Sequence, residues 1–149
     1  MKTLGLIGGI GPESTIEYYR LIIAAYREQV PRRAYPSIIV NSINLQQYLD
    51  WINANDLESF ATALVSEIER LTRVGADFGA LCSNTPHIVF DELQRRSSLR
   101  AGIEGIILGG TELPLLLRPD TFIDGQHNGM RFFDTTRIHV DRLVEELLK

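Results

Sequence analysis

A second cysteine is missing from this sequence. With Cys82 alone among 149 residues, no intramolecular disulfide framework exists, and the cytoplasm is the expected compartment. Long apolar runs are missing too. The chain passes from Met1-Lys2 into a short apolar segment that meets Gly8-Gly9, too short for a signal peptide or a membrane span. No surplus of basic charge is present: the formal net charge is -4, the pI is near 5.4, and no basic stripe with interleaved aromatics occurs. Nucleic acid is therefore not an expected partner. His87, His127 and His139 lack paired ligand spacing, so no metal is implied. The dinucleotide pattern is incomplete, because Gly9-x-Gly11-x-x-Ser14 lacks its last glycine. Asn41 and Asn44 stand where an acidic ribose ligand belongs, and no G-K-[ST] follows.

The residues that are present describe a globular α/β protein. Hydrophobic content is 44%, enough for one domain with a real core. Thr3 to Ile7 is a nearly continuous apolar run closed by glycine, as expected of a strand buried on both faces. Ser37 to Ile43, Asp77 to Leu81, Gly105 to Leu108 and Met130 to Phe133 read as further strands. Helical periodicity runs over Glu13 to Val30 through Ile16, Tyr19, Ile22, Ile23 and Tyr26. Leu57 to Val74 is amphipathic through Leu57, Phe60, Leu64, Ile68 and Leu71, with Gly75 as its terminating glycine. Pro86 to Gln94 and Thr135 to Leu148 complete the helices. Strands alternating with helices predict a parallel sheet with helices on both faces, where ligands collect at the carboxyl ends of the strands. Pro119 to Gly129 reads as a loop with a solvated His127.

Four polar motifs fall at those ends. Gly8-Gly9-Ile10-Gly11-Pro12-Glu13-Ser14-Thr15 is a glycine-rich turn into a helix, whose backbone N-H groups suit a small carboxylate. Helix capping is the competing explanation for Glu13, Ser14 and Thr15. Cys82-Ser83-Asn84-Thr85-Pro86-His87 follows the third strand, with Thr85 as expected N-cap and Pro86 at the first helical position. A thiol at such a helix start is expected to have a depressed pKa; the alternative is a buried small hydrophobe. Gly109-Gly110-Thr111-Glu112-Leu113-Pro114 echoes that segment. Asp134-Thr135-Thr136-Arg137-Ile138-His139 caps the last helix and places His139 one turn after Thr135.

Taken together these motifs, with Tyr18-Tyr19, resemble the aspartate/glutamate racemase family over residues 1 to about 99 and again from about 101 to 149. The resemblance implies two similar α/β lobes and amino-acid racemisation without PLP or any other cofactor. One catalytic cysteine from each lobe would work on opposite faces of the α-carbon. It implies Cys82 as one acid/base, and Gly8, Gly9, Ser14, Thr15, Ser83, Asn84, Thr85, Thr111 and Glu112 as substrate contacts. Two departures stand out. Gly110 occupies the position of the second cysteine, and most of the second lobe is absent at an internal junction near residues 99–101. The expected function is thus a cytoplasmic isomerase acting on a small acidic amino acid such as aspartate or glutamate, with impaired activity. A non-catalytic carboxylate-binding lobe and a one-cysteine, decarboxylase-like enzyme are the alternatives. Apolar surface left by the missing lobe predicts a homodimer.

Overall fold

The computed structural model describes residues 2–30, 35–97, 126–127, 130–131 and 135–149. Strand β1 (Thr3–Gly8) is central, flanked by β2 (Ser37–Ser42) and β3 (Phe78–Leu81) in the order β2-β1-β3. Both pairings are parallel, Thr3 facing Ser37 and Leu4 facing Phe78 at the start of each register. Parallel neighbours require crossovers, and helices supply them. Helix α1 (Pro12–Gln29) joins β1 to β2, while α2 (Leu45–Asn53) and α3 (Leu57–Arg73) join β2 to β3. The chain continues through a 3-10 segment, Thr85–Val89, into α4 (Phe90–Arg96). The expected parallel α/β sheet is therefore present.

Side-chain alternation sorts the core into two layers. On one face Leu4, Leu6, Phe78, Ala80 and Cys82 pack against α1 and against α5 (Thr135–Leu148) through Ile22, Tyr26, Val140, Leu143 and Leu147. On the other face Ile7 packs with Phe60, Leu64 and Leu71 of α3, Tyr48 of α2, and Val89 and Leu93. Strand β1 is buried on both sides, which accounts for its unbroken apolar run.

Several local expectations change. The buried stripe of α1 runs through Ser14, Thr15, Tyr18, Ile22, Ala25 and Tyr26, so Ile16 and Tyr19 face solvent. Leu57 is likewise exposed at the start of α3. Helix α2 arises in a stretch whose periodicity is too short to stand out, yet its signals are orthodox. Asn44 caps it by accepting from Gln46 N at 3.1 Å, with Gln47 three residues after the cap. It ends in a Schellman motif, with Asp56 N donating to Trp51 O at 2.8 Å, Asn55 N donating to Ile52 O at 2.9 Å, and Asn55 left-handed at φ 54°. Helix α3 ends the same way. Gly75 takes φ 95°, as its terminating role requires, and Ala76 N donates to Leu71 O at 3.0 Å. Met130–Arg131 (β5) pairs antiparallel with Gln126–His127 (β4), so it forms a separate ribbon with part of the expected loop. The expected strand Gly105 to Leu108 lies outside the described residues.

Candidate active site

The glycine turn is built around one threonine. A Cβ on Gly8 would stand 2.3 Å from Thr15 Cγ2 and 2.5 Å from Thr15 Oγ1, so only glycine lets β1 run this close to α1. Gly9 and Gly11 take φ 85° and 83°, left-handed values at which a side chain is strained. Gly9 N donates to Thr15 Oγ1 at 2.9 Å, and the same hydroxyl donates to Gly11 O at 3.5 Å. Thr15 is therefore a brace inside the turn. The Gly9 N-H, expected to face a carboxylate, is already taken. Ser14 is buried beside it, its N-H donating to Gly11 O at 3.1 Å.

Backbone bonds stitch the strand ends together. Cys82 N donates to Ile7 O at 3.0 Å, and Ile43 N donates to Gly8 O at 2.9 Å. Each bond extends a parallel ladder one residue past its strand, bringing the Cys82 segment beside Gly8-Gly9. Ser83, Asn84 and Thr85 follow as a half-buried turn at the carboxyl end of the sheet. Gly8, Gly9, Ser14, Thr15 and the residues from Cys82 to Thr85 thus share one end of the molecule. Gly110, Thr111 and Glu112 lie outside the described residues.

Cys82 itself differs from expectation. Phe78, Ala80 and Cys82 alternate onto the α1 and α5 face, leaving Cys82 only 1% exposed within the core. Thr85 does not cap an α-helix. It begins the 3-10 segment, and α4 starts only at Phe90, so the expected α-helix start does not follow Cys82 directly. Burial pushes the thiol up to about 12 rather than down, because an apolar surround penalises the thiolate.

Within this thiol-bearing layer, α1 and α5 share a polar contact that the periodicity of either helix alone does not reveal. Tyr18 Oη and His139 Nδ1 lie 2.6 Å apart in a hydrogen bond, with their rings edge to face at 5.2 Å. His139, one turn after Thr135, thus faces Tyr18 of the same buried layer. Thr136 is buried next to the start of α5, and its hydroxyl has no partner among the described residues. No group of three or more His, Cys, Asp or Glu suited to a metal occurs among the described residues. No helix among them is long and apolar enough to cross a membrane.

Comparison with known proteins places this arrangement. The family model for Asp/Glu/hydantoin racemases matches residues 7–100. The broad specificity amino-acid racemase RacX of Bacillus subtilis (strain 168) is 27% identical over 103 residues, which are 64% of this chain and 43% of RacX. The crystal structure of an aspartate racemase homologue from Pyrococcus horikoshii OT3 superposes with a TM-score of 0.61 at 38% identity, over 66% of this chain and 43% of that one. A Yersinia pestis protein assigned as an Asp/Glu racemase shares the fold at 24% identity and TM-score 0.63, over 98% of this chain and 71% of its own. The chain spans less than half the length of the first two.

Proposed function

Because the chain belongs to the Asp/Glu/hydantoin racemase family, we propose that it moves a proton at the α-carbon of a small acidic amino acid such as aspartate or glutamate, without a cofactor. The observation that supports this reading is the bond from Cys82 N to Ile7 O, which brings the backbone of the residue that carries the chain's one thiol beside the Gly8-Gly9 turn at the carboxyl end of the sheet. In the forward direction the Cys82 thiolate takes the α-proton, leaving an enediolate whose charge needs preorganised donors. With Gly110 offering no side chain, water or a hydroxyl group gives a proton to the opposite face, slowly, and yields the inverted amino acid. The Ser83 to Thr85 turn, Ser14, Thr111 and Glu112 are the proposed substrate contacts, with Gly8 and Gly9 shaping the turn.

A second reading has its own support. A thiol buried in the core stays protonated at neutral pH, which suits a proton donor better than a base. A one-cysteine enzyme that only protonates a carbanion, or a lobe that binds a carboxylate without turnover, fits that state. The family match ending at residue 100 supports the junction near 99–101, and with it the absence of most of the second lobe. We further propose a cytoplasmic homodimer. Light scattering at micromolar concentration tests the dimer, and a monomer refutes it.

Solvent deuterium incorporation at Cα of L-aspartate separates the readings of activity. Racemisation gives exchange with inversion, one-base chemistry gives exchange with retention, and a binder gives neither. Exchange abolished in Cys82→Ala is the expected result; exchange that survives undiminished removes Cys82 from the mechanism. Gly110→Cys, which restores a thiol at the position the family pattern calls for, is expected to raise inversion.

A further inference from the structure

The second face of the sheet carries a cavity unrelated to the thiol. It measures about 350 Å³ and opens beside β2, between α2 and α3, near the lower end of the roughly 300–1,000 Å³ typical of small-molecule sites. Ile43, Tyr48 and Trp51 form its apolar wall, and Asn41, Glu67 and Arg70 its polar one. Tyr48 and Ile43 belong to the core layer of α3, whereas Cys82 belongs to the layer of α1 and α5, so the sheet separates the two places.

The polar wall has unspent hydrogen-bonding capacity. Glu67 Oε2 accepts from Asn41 Nδ2 at 2.7 Å and pairs with Arg70 Nη1 at 2.9 Å. Both contacts use the same oxygen. Glu67 Oε1 has no partner among the described residues, although the side chain is only 17% exposed. Arg70 spends one nitrogen on Glu67 and keeps the rest of its donor fork. Tyr48 is 4% exposed and lines the cavity. Burial and the nearby Glu67 carboxylate raise that phenol to about 12, so it remains a neutral donor.

One carboxylate and one guanidinium side by side give this wall no net charge. A simple anion or cation would satisfy half of it and oppose the other half. We propose that this cavity is a second, non-catalytic site that binds an α-amino acid with a hydrocarbon side chain. The ammonium goes to Glu67 Oε1, the carboxylate to Arg70 and the Tyr48 hydroxyl, and the side chain lies against Ile43 and Trp51. A zwitterion supplies both charges from one carbon, which matches groups only three residues apart on a helix.

Trp51 is the only tryptophan of the chain, so its fluorescence reports on this cavity alone. Titration of the full chain with L-leucine is expected to give a saturable change. N-acetyl-L-leucine, which lacks the ammonium, and L-leucinamide, which lacks the carboxylate, are expected to bind at least about ten-fold more weakly, the loss typical of a charged hydrogen bond. Glu67→Gln and Arg70→Gln should weaken L-leucine to a similar degree, and Cys82→Ala should leave its binding unchanged. The ligand comparison needs no variant and so stands even where one fails to fold. No saturable change up to millimolar L-leucine, equal binding of the blocked forms, or loss of binding in Cys82→Ala would each overturn the proposal. Failure of deuterium exchange would leave it untouched.

Discussion

At the residue scale the informative positions are a thiol and a glycine. Cys82 was legible as the end of an apolar strand, and the alternation Phe78, Ala80, Cys82 already assigns it to the face of two buried residues. The proline at 86 draws attention to a helix start instead. That start is a 3-10 turn, and burial sets the direction in which the thiol shifts. In the native protein Cys82 should therefore resist iodoacetamide at pH 8 and react readily once urea unfolds the chain; equal rates would show an open thiol. The pH dependence has a definite sign. Above the ordinary thiol pKa, near 9.0, the unfolded chain gives up this proton while the native chain keeps it up to about 12. Stability should fall as pH rises through that window, at up to about 1.4 kcal/mol per pH unit from this group. Urea melts at pH 8 and pH 10 should show a smaller fall in Cys82→Ala than in the parent chain. Because Cys82 sits in the core, that variant also loses packing, about 1 kcal/mol for the sulfur. For Gly8→Ala the new Cβ collides with Thr15 and displaces the hydroxyl that holds Gly9 N. A loss of about 1–3 kcal/mol is expected by urea denaturation, and an unchanged midpoint would mean that the turn yields.

At the element scale, strands and long helices were the readable parts. Their lengths and periods exceed the noise of composition, as for Leu57 to Val74 against the observed Leu57–Arg73. Short elements escaped. Helix α2 has nine residues and is recognised mainly by its ends, Asn44 at the start and Asn55 beyond the finish. The orientation of α1 escaped for a different reason. Its sequence has apolar residues around most of the circumference, and only docking against β1 and α5 selects Tyr18, Ile22 and Tyr26 over Ile16 and Tyr19. Asn55 tests the α2 end directly. A β-branched residue at φ 54° clashes with its own backbone, so Asn55→Val should cost about 1–2 kcal/mol, whereas Asn55→Gly should be neutral or stabilising. Thermal melts of the pair provide the check, and equal melting temperatures would refute the assignment.

At the scale of the whole molecule, the layer that buries Cys82 is assembled from opposite ends of the sequence. Leu4 and Leu6 come from β1, while Val140, Leu143, Val144 and Leu147 come from α5, all fully buried. An ion pair between Lys2, the residue before β1, and Glu146 of α5 ties the same two ends together. Leu143→Ala should therefore act as a core truncation and cost about 2–5 kcal/mol in urea, a large share of the roughly 5–15 kcal/mol that holds a domain. Full retention of stability would mean that α5 is dispensable. The same joining of residue 2 to residue 146 imposes an order on the chain's birth at the ribosome. At about 5–20 residues per second, β1 is made on the order of ten seconds before the helix that completes its layer. Throughout that interval Leu4, Leu6 and the inner face of α1 lack their native cover, so a nascent chain is open to chaperone capture or to pairing with another unfinished chain. A circular permutant that synthesises residues 135–149 ahead of β1 would shorten that wait and should yield more soluble protein from the same messenger.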